Sequence, residues 1–148
     1  MRRRLIMLVL GGGMALAALS TGPASAVTGG PTVGGTSAIL SGAQENPPAD
    51  PNGTGQVGIF LDARRGSVCF GLSVANIAPA TAAHIHFAPA GSNGPVVVPL
   101  PAPTTGSSAG CVSANPALVQ NIIDHPADYY VNVHNAEYPG GAIRGQLA

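Results

Sequence analysis

The sequence has no lysine and no tryptophan, and only 8% of its 148 residues are charged. Such a chain has few groups that can do chemistry. Without lysine and with six arginines in all, it offers no basic patch for a phosphate backbone, so nucleic acid is excluded as a partner. Aromatic residues are scarce, three Phe and three Tyr, so the core must be small and aliphatic. Cysteine is limited to Cys69 and Cys111, which stand singly and without CxxC spacing; a thiolate metal site is therefore disfavoured. No G-x-S-x-G nucleophile elbow, phosphate loop or pair of catalytic carboxylates is present. No internal repeat is visible, and no second apolar run follows the first.

That first run is N-terminal. Arg2, Arg3 and Arg4 precede the apolar stretch Leu5 to Leu19, and Ala24-Ser25-Ala26 supplies small residues of the A-x-A kind. This is the pattern of a secretory signal peptide, residues 1–26, cleaved after Ala26. The apolar core is too short for a membrane span, which needs roughly 20 apolar residues, and Gly11-Gly12-Gly13 interrupts it. No Ser or Thr precedes the arginines, which favours the general export pathway over the twin-arginine one. Cleavage removes 26 of the 148 residues and leaves 122, one domain's worth. Arg64, Arg65 and Arg144 then face six acids, a net charge of −3. The expected product is secreted and has no membrane segment. In that setting Cys69 and Cys111 pair as a disulfide.

Residues 27–36 are Gly, Thr and Pro with little apolar content and read as a loose tail. From Ser37 onward Gly and Pro punctuate short apolar runs. Strands are expected at Ser37–Leu40, Gly55–Asp62, Ser67–Val74, Ala83–Phe87, Val96–Val98, Tyr129–His134 and Ala142–Leu147. Val57, Ile59 and Leu61, then Val68, Phe70, Leu72 and Val74, alternate as the buried face of a hairpin. Pro101 to Gly110 reads as a flexible loop. Asn115 as N-cap, Pro116 at the first helical position and a stop at Pro126 mark one short helix. With no long helices to cover a parallel sheet, the fold class is all-β: an antiparallel Greek-key β-sandwich or barrel, superoxide dismutase-like or immunoglobulin-like, with one short helix. An open sheet edge could support a homodimer.

Three of the four histidines fall in two short segments, Ala83-His84-Ile85-His86-Phe87 and the strand ending at His134. Residues i and i+2 of a strand share a face. His84 and His86 therefore stand side by side, with Ile85 and Phe87 toward the core. Two imidazoles at that spacing can ligate one ion, and His134 from a neighbouring strand completes a three-nitrogen site for a transition metal, copper first and zinc second. The competing reading leaves them as polar residues on a solvent-facing strand surface. His125, beside Asp124 at the helix end, is a further candidate ligand, although a His there also suits the helix dipole. Glu45 could be a carboxylate ligand or general base, but it lies in a Pro-rich loop. Arg144 either guides anions toward the ion or pairs with Glu137, and pairing is favoured. Gly140-Gly141 makes a turn that needs positive φ. Tyr129 and Tyr130 point to opposite faces, one into the core and one partly exposed.

Leu40-Ser41-Gly42-Ala43-Gln44-Glu45-Asn46-Pro47-Pro48 resembles the opening motif of the CHRD domain, the domain named for chordin. Ala83-His84-Ile85-His86 with Gly94-Pro95-Val96-Val97 resembles its middle motif, and Tyr129 to Leu147 its closing motif. The resemblance covers residues 37–148. In animals the domain repeats within chordin, which antagonises secreted growth factors. A single copy without chordin's cysteine-rich modules does not carry that role over; bacterial members are commonly short exported proteins. The histidine pattern is also similar, at the level of a motif, to the copper/zinc superoxide dismutases. There an H-x-H pair and a later His hold copper on a Greek-key barrel. His84, His86 and His134 match those ligands; the bridging His and the zinc ligands have no counterpart. His125 stands where CHRD domains commonly carry Asn. The expectation is a secreted metal-binding CHRD domain. The alternatives are a non-catalytic adhesion or structural module without metal, and dismutase-like redox chemistry at copper.

Overall fold

The computed structural model describes residues 29–148, and the expected signal peptide, residues 1–26, lies outside the described residues. Eight strands form: β1 (Val33–Ser41), β2 (Thr54–Asp62), β3 (Ser67–Ala75), β4 (Ala80–Phe87), β5 (Val96–Leu100), β6 (Ser107–Ser113), β7 (Tyr129–Asn135) and β8 (Ile143–Gln146). They make one antiparallel sheet in the order β5-β4-β7-β8-β1-β2-β3-β6. The all-β class is thus observed. The one α-helix among the described residues, α1 (Pro116–Asp124), begins where expected: the Asn115 side chain accepts a hydrogen bond from Ala117 N at 2.8 Å.

Strands β1, β2 and β3 form a meander in continuous register. The chain then crosses to the far end of the sheet, makes the β4–β5 hairpin and returns as β6 beside β3, a Greek-key excursion. Ser108 Oγ of β6 donates to Pro101 O just past β5 at 2.8 Å, so the sheet curls nearly into a barrel. Inside it Leu40, Leu61, Val68, Leu72, Ile85, Val131, Val133 and Ile143 share one core with Val119 and Ile122 of α1. Each such side chain, when fully buried, contributes roughly 1.5–3 kcal/mol.

Two strands differ from expectation. β1 takes in the last four residues of the segment read as a tail. Gly34 packs under Ile123, and Gly35 and Thr36 continue the pairing with β2. β6 occupies part of the segment read as a flexible loop. Its side chains are small and mostly exposed because it is the edge of the sheet, so it carries no apolar alternation. Cys69 and Cys111 lie opposite each other in the β3–β6 ladder and are joined by the expected disulfide.

Two loops cover part of the outer face of β4, β7 and β8, burying His86, Tyr130, Asn132 and Arg144. Arg144 of β8, 4% exposed, holds both of them. Its guanidinium donates to Glu45 Oε2 at 2.9 and 3.0 Å, to Ser92 O at 2.9 Å and to Asn93 Oδ1 at 2.6 Å. The loops also interlock: Asn46 donates to Gly91 O and Asn93 to Asn46 O. Burial raises the Glu45 carboxyl above its ordinary value, and the Arg144 charge pulls the other way. Gly141, at φ +135°, is needed there because a Cβ would collide with the Glu45 carboxylate. Gly141 thus meets the turn expectation, although Gly140 is not among the positive-φ glycines.

Two predictions follow from this framework. The disulfide spans 42 residues, so its reduction lowers the unfolding free energy by about 2–4 kcal/mol, to be read from urea unfolding with and without reductant. Glu45→Ala strands a buried guanidinium and costs about 3–5 kcal/mol. Replacing both partners by apolar residues recovers much of that loss; chemical denaturation of the single and double variants measures both.

Candidate metal centre

β4 and β7 are antiparallel neighbours in the register Ala82↔His134, His84↔Asn132 and His86↔Tyr130. His134 is therefore diagonal to His84 on the same outer face, and His86 lies two residues further along β4. His84 Nδ1 is 3.1 Å from His134 Nε2. One nitrogen from each of the three rings lies within 4.8 Å of the others. The His84–His134 spacing suits two ligands on one ion, since each nitrogen sits about 2.0–2.1 Å from a bound zinc. The three histidines singled out in the sequence are thus brought together.

Their surroundings fix which nitrogens are free. A carbonyl oxygen can only accept, so His86 Nδ1–H donates to Gly94 O at 2.9 Å and His134 Nδ1–H donates to Pro139 O at 2.9 Å,. Both rings are left with a lone pair on Nε2. The Nε2 of His86 is buried without any hydrogen-bond partner. An orphaned buried acceptor costs about 1–3 kcal/mol, and a cation at this point would remove the deficit. The His134 Nε2 lone pair is the acceptor for His84 Nδ1–H at 3.1 Å; Asn132 Oδ1, itself an acceptor, lies 3.0 Å from the same nitrogen and makes no hydrogen bond with this tautomer,. Backbone carbonyls that orient imidazoles in this way are a common supporting shell of metal sites.

Burial holds His84 below the usual imidazole value, helped by the charges His134 and His86 would carry. Burial lowers His134 as well, against the opposing Pro139 hydrogen bond and with a further lowering from His86. Both rings are therefore neutral at neutral pH, the state a metal requires.

The remaining expectations fare differently. His125 is exposed at the C-terminal cap of α1 and stands outside the cluster. Glu137 is exposed, and Arg144 pairs with Glu45 instead. Arg144 is 4% exposed, with its nitrogens engaged by Glu45, Ser92 and Asn93. Phe87, the last residue of β4, keeps its place opposite Tyr129 and packs against that ring, but is 47% exposed rather than in the core. Tyr129 and Tyr130 do point to opposite faces, but both are buried. The loop cover over the outer face explains the second. Sequence reasoning missed the Gly94 and Pro139 carbonyls and Asn132. The carbonyls leave no signal in residue type; Asn132, at i−2 from His134, could have been found from strand alternation.

Among the described residues, no helix is long and apolar enough to cross a membrane. No curated protein and no solved structure is significantly similar to the chain, so the dismutase likeness rests on the three histidines alone. The CHRD domain model matches residues 36–147, a span that contains the interlocked loops, the disulfide and all three clustered histidines; the chain belongs to the CHRD domain family.

Proposed function

We propose that this CHRD domain binds a single transition-metal ion, copper first and zinc second, through His84, His86 and His134, and that it does so outside the cytoplasm. The observation that carries the reading is the buried, partnerless Nε2 of His86, on a ring clustered with two further imidazoles. Neutral imidazoles suit copper and zinc, and copper has the higher intrinsic affinity for nitrogen donors. The disulfide agrees with an oxidising compartment,, as does the expected leader. A bound ion would supply Lewis-acid or one-electron chemistry. The chain's own part is to hold three neutral nitrogens in place, with the His84 proton moving from Nδ1 to Nε2 where Nδ1 is the ligating atom. Binding rather than turnover is the proposed role.

Copper and zinc titrations of untagged protein, purified without chelators, test the reading. Wild type and His125→Ala bind one ion with equal affinity, and His84→Ala/His86→Ala loses at least a hundredfold. Equal, weak binding by all three would leave a metal-free adhesion or structural module. Superoxide turnover by copper-loaded protein would instead bring in the enzymatic alternative.

The pH dependence has a fixed sign. The folded-state values of His84 and His134 lie below the ordinary 6.5. The unfolded chain therefore takes up protons first as pH falls. Stability of the metal-free protein is greatest above about pH 6.5 and declines as pH drops through the lowered folded values. Metal affinity weakens over the same acidic range, starting lower than for free imidazole. Thermal melts and titrations from pH 7.5 to 5 check both.

A further inference from the structure

Tyr130 is 1% exposed and sits on the outer face of β7, between β4 and β8. On the β4 side its ring stacks on His86, with centroids 4.7 Å apart and planes 6° from parallel. On the β8 side the Arg144 guanidinium lies 4.0 Å from its centroid. The Tyr130 hydroxyl accepts a hydrogen bond from Gly94 N at 3.3 Å, and Gly94 O accepts from His86 Nδ1–H at 2.9 Å. The contacts close a ring: imidazole, phenol ring, phenol oxygen, Gly94 amide, Gly94 carbonyl and back to the imidazole. Gly94 has no substitute here, because a Cβ would collide with Phe87 O. Arg144 closes the loop from outside by holding Ser92 O and Asn93 Oδ1, the two residues before Gly94.

We infer that Tyr130 is a positioning residue for the candidate metal centre. It fixes both the plane and the Nδ1–H tautomer of His86, so that Nε2 stays bare on a ring clustered with His84 and His134. Arg144 supports it by pressing on its other face and pinning the Gly94 loop. The inference rests on the metal-binding reading for its purpose, but the brace itself is testable without metal. A buried tyrosine that served only as filling would be replaced by another apolar side chain with no effect on a ring nitrogen of His86.

The experiment records histidine ring ¹⁵N–¹H spectra of metal-free wild type, Tyr130→Phe and Tyr130→Leu, followed by copper and zinc titrations. Wild type shows His86 as the pure Nδ1–H tautomer. Tyr130→Phe keeps the stack and loses the hydroxyl contact, and Tyr130→Leu loses both, so the tautomer mixes progressively across the series. Metal affinity falls about tenfold or more in Tyr130→Leu and less in Tyr130→Phe. A wild-type His86 pattern in a folded Tyr130→Leu overturns the inference. If Tyr130→Leu does not fold, an unchanged His86 pattern and unchanged affinity in Tyr130→Phe overturn it instead. Should wild type bind no metal, the binding proposal falls while the tautomer series still decides the brace.

Discussion

The ion pair between Arg144 and Glu45 is the contact on which the functional half of the molecule depends. It connects a residue of the last strand with one in the loop after the first, 99 positions apart. The same guanidinium reaches the loop after β4. Among the described residues it is the one side chain that holds both loops at once; the other contacts, such as Gly94 with His86 and Tyr130, tie down one loop or link the loops to each other. Two charges withdrawn from solvent are costly unless well paired. The pairing, with every guanidinium nitrogen engaged, offsets part of that cost, although Glu45 Oε1 is left without a partner; the loops it holds help to bury the central strand on both sides.

Burial of the second face changes what a histidine can be. On a solvent-facing strand, three imidazoles would be hydrated and would titrate as free side chains do. Beside the loops, His86 is buried and His84 and His134 are half-buried; His86 and His134 turn toward carbonyls, and His84 toward His134. The protein therefore has two layers of different chemistry on one sheet: an aliphatic layer inside the curl, and a polar and aromatic layer outside it. The first supplies stability through area buried. The second supplies direction, because each hydrogen bond in it has one donor and one acceptor.

Sequence patterns revealed the first layer well. Val57, Ile59 and Leu61, followed by Val68, Phe70 and Leu72, alternate because only one face of β2 and β3 is buried, and period-two patterning reports that asymmetry. The pattern fails where its premise fails. β6 is a sheet edge built of small residues, so there was no alternation to read. Phe87 keeps the face that spacing assigns, beside Tyr129, but it ends its strand and stays half exposed. Tyr130 is covered by loops that carry no strand pattern of their own. The three histidines were legible through the i, i+2 rule and the pairing of two segments; the carbonyls that orient them were not, since every residue has one. Glu45 and Arg144 were both noticed, but their pairing required the fold.

The donor set of the centre consists of neutral rings alone: no carboxylate joins His84, His86 and His134 in the cluster among the described residues. A divalent cation resting there would retain its whole charge, in a chain whose nearby Glu45 is already committed to a guanidinium. Electroneutrality then falls to small mobile anions from the surroundings. The grip on the ion becomes a function of the salt in the medium as well as of the amino acids, so chloride, phosphate or bicarbonate would tune it from outside.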